Sequence, residues 1–241
     1  MSTKIPISKE TLDIYLKELG KRFRKLNGIK MTNEIILIGG ASVLINYGFR
    51  DMTYDADAII MASSAIKEAI NYVRDKFGLP HGWLNADFKN TTSYSDKLIS
   101  FSVYYKTFSN VLTIRTVAAE YLVAMKLMSG RQYKYDLSDI VGILWEHEKN
   151  NQPLDRSDIE RAISELYGHQ SIPDISQQFF DDVFKRRDYE RFYREIRESE
   201  EQAKEILIEF EKDYPNLLNG ANINSIIEIT KRKKEQNNEC Q

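Results

Sequence analysis

Asp55 and Asp57 are one residue apart in Tyr54-Asp55-Ala56-Asp57-Ala58-Ile59-Ile60. In an extended strand side chains alternate in direction, so the two carboxylates share one face while Tyr54, Ala56, Ala58 and Ile60 take the other. Left alone, such a pair repels and at least one pKa rises; the arrangement suits a hard divalent cation that neutralises both charges. Upstream, the apolar run Ile35 to Ile38 reads as a buried strand, and Gly39-Gly40-Ala41-Ser42 turns the chain sharply into a short helix with Val43, Leu44 and Tyr47 on its face. A helix start with exposed amides attracts anions. Phosphate on one element and a metal on the next is nucleotide chemistry.

The elements that position these residues follow from periodicity and punctuation. Ser8 is placed to cap a helix with Leu12, Tyr15, Leu16, Leu19, Phe23 and Leu26 at helical spacing, ended by Gly28. After the Asp-x-Asp strand, Ser63 or Ser64 caps a helix through Ile66, Ile70, Val73 and Phe77, closed by Gly78-Leu79-Pro80, and 81–85 reads as a loop. Leu98 to Tyr105 and Val111 to Thr116 form a hairpin that extends the sheet. Ala118 to Ser129 is a helix apolar nearly all round, in which Lys126 is the exception and needs either water, by snorkelling, or an anion. Asp136 and Asp139 open the next helix in a capping-like arrangement.

Beyond Asn150-Asn151-Gln152-Pro153 the pattern is helical: Ser157-x-x-Glu160 reads as a capping box, and a long charged segment from Pro173 to about Tyr214 is expected to break near Glu198 to Glu201. The tail Lys231 to Lys234 and beyond reads as frayed and solvated. His81, His147 and His169 lack the paired spacing of a metal-binding helix.

Gly39-Gly40 followed by Asp55-Ala56-Asp57 resembles the signature of the nucleotidyltransferase superfamily, the polymerase-beta-like minimal fold. Leu122 to Leu127 with Arg131 and Asp136-Leu137-Ser138-Asp139-Ile140 resembles the second signature of its AbiEii-like and DUF6036 branch. The likeness spans roughly residues 30 to 145. It implies transfer of a nucleoside monophosphate from a nucleoside triphosphate to an acceptor, with Asp55 and Asp57 holding Mg²⁺ or Mn²⁺ and Asp55, Asp57, Lys126 and Asp136 as the catalytic set. The nucleotide contacts it implies are Gly39, Gly40, Ser42, Arg50, Thr53, Lys126 and Arg131. One departure stands out: no Asp or Glu lies between Asp96 and Glu120, where the superfamily often places a third carboxylate, so substrate phosphates and water, or Asp136, would complete the shell.

The expected fold is an α/β (α+β) nucleotidyltransferase fold, a mixed sheet with flanking helices over residues 1–150, followed by an all-helical region over 151–241. The branch includes toxins of toxin-antitoxin and phage-defence systems, some of which modify transfer RNA ends. The expected acceptor is therefore the 3′ end of a transfer RNA or another RNA, with an antitoxin protein as an implied partner. Alternatives are adenylylation of a small molecule such as an aminoglycoside or of a protein, and a binding module that keeps the fold without turnover. A formal net charge of −2 gives no global preference for nucleic acid. An RNA acceptor would need a local basic wall from Arg22, Arg24 and Lys25 on the first helix and from Arg186 to Arg197. The competing reading makes these a solvated face and, with the neighbouring aromatics, a packing surface. The single cysteine, Cys240, forms no internal disulfide, and no N-terminal apolar run reads as a signal peptide or membrane span, so a cytoplasmic protein without membrane contact is expected.

Overall fold

The computed structural model describes residues 5–239 apart from Ala62, Arg187 and Ala221, with side chains up to residue 232. Arg187, Cys240 and the side chains of Lys233 and Lys234 thus lie outside the described residues.

Helix α1, Lys9–Asn27, starts where Ser8 accepts from the Thr11 amide and stops at Gly28, whose φ of 73° suits glycine. Strand β1 (Asn33–Leu37) leads directly into α2 (Gly39–Asn46), so the glycine pair forms the first turn of the helix rather than a separate loop. Strand β2 covers Ala56–Ile60, α3 covers Ser64–Phe77 with Ser63 as its cap, and a two-residue strand β3, Leu84–Asn85, lies in what the sequence suggested was plain loop. Two 3₁₀ turns, Asp87–Asn90 and Asp96–Ile99, precede the hairpin β4 (Ser102–Phe108) and β5 (Leu112–Val117).

The strands form one mixed sheet in the order β3-β2-β1-β5-β4. β1 runs antiparallel to β2, with Ile36 opposite Ile59 and Leu37 opposite Ala58, and parallel to β5. Its alternation sorts the core. Ile35, Leu37, Ala58 and Ile114 pack against α1 and α3, whereas Ile36, Ile38, Ile59 and Val117 face the later helices. Asp57, two residues before Ile59 on β2, therefore points to the side of the later helices.

Those helices are α4 (Ala119–Ser129), α5 (Asp136–Lys149), α6 (Arg156–Tyr167), α7 (Asp174–Val183), α8 (Tyr189–Asp213) and α9 (Ile223–Glu239). The architecture is α+β, a five-stranded mixed sheet with flanking helices followed by a helical C-terminal region. One hydrophobic cluster runs from Ile36 on the sheet to Phe192 on α8.

Three local expectations change. The capping box of α6 is Asp155 with Asp158, two residues before the predicted Ser157 and Glu160. The break in the long charged segment falls between α7 and α8, where Asp188 caps α8, and the helix continues through Glu198 to Glu201. Pairs four residues apart, including Arg191 with Glu195 and Arg197 with Glu201, bind successive turns of α8 together. The tail expected to fray is the helix α9, on which Lys231 donates to the Ser199 hydroxyl at 2.8 Å.

Candidate active site

Asp55 is exposed at the entry to β2, and Asp57 is half-buried one step inside it. The Ile38 amide donates to the Asp57 carbonyl at 2.9 Å, fastening the first turn of α2 to the acidic strand. No side chain caps α2, so its first amides are left for another acceptor. Glycine suits both positions, at 39 through its backbone conformation and at 40 through the close approach of Arg50 and Thr53. Gly39 sits at φ 53°, and a Cβ there would lie 3.8 Å from Asp57 Oδ2. A Cβ on Gly40 would meet Arg50 Nη2 at 2.8 Å and Thr53 Oγ1 at 3.1 Å.

Burial and the neighbouring Asp55 raise the Asp57 carboxyl above its ordinary value, while Asn85 beside it and the cations Arg131 and Lys134 pull the other way. A divalent cation held by both carboxylates would relieve that repulsion, and the donors are the hard oxygens such an ion prefers. The residues present thus fit Mg²⁺ or Mn²⁺. No group of three metal-ligating side chains occurs among the described residues, so the chain offers two carboxylates to the ion.

Asp136 does not join them. Its Oδ1 accepts from Lys126 Nζ at 2.9 Å, and its Oδ2 from Ser129 Oγ and Arg131 Nε, both at 2.8 Å. Burial alone would raise this carboxyl, but Lys126 and Arg131 hold it at about 2. A carboxylate so occupied is no base near neutral pH, and it caps nothing. The N-cap position of α5 is Tyr135, at φ 62°, and makes no side-chain cap.

Lys126 does not snorkel; its partners are aspartates. Its side chain is 3% exposed, and its amine also sits 2.8 Å from Asp139 Oδ2, an oxygen that Arg50 Nη1 shares. Burial would lower the amine's pKa, but Asp136 and Asp139 raise it, so the lysine stays charged. Arg50 donates from Nε to the Met52 carbonyl and lies under Gly40. Three cations, Arg50, Lys126 and Arg131, thus meet two carboxylates, Asp136 and Asp139, in one buried cluster beneath the glycine turn. Thr53 holds the Asp55 carbonyl at 3.0 Å and pairs with Ile7. Ser42 is fully buried, with its hydroxyl accepting the Val117 amide, and does not reach the phosphate side.

Sequence reasoning missed Glu200. It is 2% exposed, and its carboxylate accepts the Leu137 amide at 2.9 Å and the Ser138 amide at 3.3 Å, so a residue of α8 caps α5. Burial pushes its carboxyl up to about 8, with Asp139 adding to the rise. The available signal was an acid on an apolar stripe, since Ile196, Glu200, Ala203 and Leu207 follow helical spacing. Lys134, whose charge acts on Asp57, carried no such signal.

The basic wall expected for RNA is not formed by the residues named for it. Arg24 reaches toward the Ser109 carbonyl in the β4–β5 turn, at the sheet end opposite Asp55, and Arg22 pairs with Glu68 of α3 at 2.6 Å. Arg186, just before α8, and Arg191 on it both pair with Glu195, Arg194 pairs with Glu190 and Arg197 with Glu201. His147 bonds Tyr47 and the Gln152 carbonyl, as an ordinary structural histidine. A cavity of about 560 Å³ lined by Asn33, Met61 and Thr113 also lies at the far end and holds neither aspartate.

The mixed sheet, with Asp55 and Asp57 at the start of β2 and a glycine-started helix on the preceding connection, agrees with the nucleotidyltransferase resemblance read from the sequence. The family model described as "Nucleotidyltransferase of unknown function (DUF6036)" matches residues 15–146, and the chain belongs to that family. No curated protein and no solved structure matches it. Among the described residues no helix is long and apolar enough to cross a membrane.

Proposed function

We propose that the protein transfers a nucleoside monophosphate from a nucleoside triphosphate to an acceptor hydroxyl. The observation that carries this reading is the placement of Asp55 and Asp57 beside the uncapped first turn of α2, where Gly39 takes a left-handed φ and Gly40 lies close against Arg50 and Thr53. Held by the two aspartates, Mg²⁺ or Mn²⁺ would supply charge neutralisation for the triphosphate. The amides at the start of α2 would take phosphate oxygens. Arg131, bound to Asp136 through Nε and partly exposed, would offer the rest of its guanidinium to the same anion. Lys126 and Asp139 act one layer below, fixing Arg50 under Gly40. In the transfer, the acceptor hydroxyl oxygen bonds the α-phosphorus and gives up its proton to solvent water, the bond to the bridging oxygen breaks, and pyrophosphate leaves with the electron pair.

The RNA acceptor would need a local basic wall, but Arg24 points away and Arg22, Arg186, Arg191 and Arg194 are paired with glutamate; the toxin role and an antitoxin partner rest on the family resemblance alone. The proposal therefore ends at transfer to a hydroxyl, and the experiment separates the acceptors. The protein is incubated with Mg²⁺ and each α-labelled triphosphate, in the presence of total RNA, of an aminoglycoside mixture, or of no added acceptor. Label passing to RNA, antibiotic or the protein itself, with pyrophosphate release lost on Asp55→Asn and Asp57→Asn, is the expected result. No triphosphate consumed in any arm would overturn the reading and leave the binding module as the better description.

A further inference from the structure

Helix α8 belongs to the C-terminal region, yet one of its faces packs on the start of α5 and reaches Phe49 and Tyr54 in the segment before β2. Tyr193, Arg197, Glu200 and Lys204 follow one another at four, three and four residues, which places them in a line along the helix. Each lies against a residue adjacent in sequence to Arg50, Asp55 or Asp136. The Tyr193 hydroxyl donates to the Phe49 carbonyl at 3.1 Å, beside Arg50. Arg197 lies 3.5 Å from the centre of the Tyr135 ring, and Glu200 caps the amides that follow Asp136. Lys204 Nζ lies 5.8 Å from the Tyr54 ring and 5.7 Å from the Tyr135 ring, between the residue before Asp55 and the residue before Asp136.

Lys204 differs from the arginines of its helix. Arg191, Arg194 and Arg197 each have a glutamate four residues away as counter-ion. Lys204 is half-buried, makes no ion pair among the described residues, and faces only the two rings. Two ring faces at nearly 6 Å hold an ammonium weakly. A compact ammonium with three donors, kept beside a site that would receive several phosphate oxygens, is placed to bind a polyphosphate.

We propose that Lys204 contacts the terminal phosphates of the nucleoside triphosphate, so that α8 is a wall of the nucleotide site. Glu200 sets the lysine's position by fixing α8 to the start of α5, one turn away. The inference rests on the nucleotidyltransferase reading and deepens it: the cation that sequence reasoning sought in Lys126, which is consumed by Asp136 and Asp139, comes from the C-terminal region.

The test measures equilibrium binding, in Mg²⁺, of whichever of ATP, GTP, CTP or UTP the wild-type protein binds, together with the matching nucleoside. Lys204→Ala should weaken triphosphate binding about tenfold or more while leaving nucleoside binding unchanged, and Lys204→Arg should recover most of the loss. Unchanged thermal unfolding of both variants excludes a folding effect. Triphosphate affinity unchanged by Lys204→Ala, or triphosphate and nucleoside weakened alike, would overturn the proposal while the metal site stands. Failure of the wild-type protein to bind any triphosphate in Mg²⁺, or binding that survives Asp55→Asn with Asp57→Asn, would instead remove the underlying reading and this inference with it.

Discussion

Replacing Lys126 by Met separates a lysine that holds the site together from one that only touches substrate. Its amine lies 2.9 Å from Asp136 and 2.8 Å from Asp139, with all three side chains at most 3% exposed. Removing one partner of a buried ion pair costs roughly 3–5 kcal/mol, because the charge left behind stays desolvated. Arg131 and Arg50 still serve the two carboxylates, which favours the lower end, about 3 kcal/mol. At about 2–4 °C per kcal/mol for a chain of this size, the melting temperature should fall on the order of 6–12 °C. The assay is urea unfolding followed by far-ultraviolet circular dichroism near pH 7, without triphosphate. The pH dependence gives a second reading. In the wild type Asp136 is held at about 2, so its contribution is present above its unfolded value and is lost only as pH falls through about 2. Without Lys126 that carboxyl rises, the native state takes up a proton more readily, and the gap between wild type and variant should narrow from neutral toward mildly acid pH. An unfolding free energy within about 0.5 kcal/mol of wild type, the range of an ordinary surface change, would refute the structural role.

Glu200 should act in the opposite sense. Burial pushes its folded value up to about 8, above the ordinary 4.5 of a glutamate, so the native state binds more protons and stability should fall as pH rises between these values. The loss is on the order of 4–5 kcal/mol, and Glu200→Gln, which keeps an acceptor oxygen for the α5 amides, should flatten it in urea titrations across that range. Because Asp57 is raised by burial and by Asp55, proton and metal compete for it; Mn²⁺ affinity should climb with pH, with its midpoint above the ordinary carboxylate range, and Asp57→Asn should abolish that dependence. Gly40→Ala places a methyl 2.8 Å from a guanidinium that Asp139 holds, so thermal melts should show destabilisation on the order of 1–3 kcal/mol.

Much of the fold was legible because its signals are local. Ser8 and Gly28 bound α1, Ser63 and Gly78 bound α3, and the alternation through Asp57 and Ile59 assigns the acidic face. Within the site, Gly39, Gly40, Asp55 and Asp57 are few residues apart on one strand-helix-strand unit, and the structure brings them together as spacing suggested. The contacts that were not legible join distant parts of the chain. Arg50 with Asp139 and Leu137 with Glu200 are 89 and 63 residues apart, and no periodicity encodes which buried charge meets which. Lys126 was misplaced for the same reason: an isolated cation on an apolar helix announces that it needs an anion, but not whether that anion is substrate or aspartate. The α8 arginines were read for their charge, whereas glutamates four residues away neutralise it.

The central claim is that Asp55 and Asp57 together hold the metal that accompanies a nucleoside triphosphate. Its most direct test is Mn²⁺ binding with and without triphosphate, followed by electron paramagnetic resonance, in the wild type and in the Asp55→Asn, Asp57→Asn double variant. The wild type should bind Mn²⁺ more tightly when triphosphate is present. The double variant should lose that binding while melting no lower than wild type, since burial already disfavours the charge on Asp57. A folded double variant that binds Mn²⁺ and triphosphate as the wild type does would contradict the account.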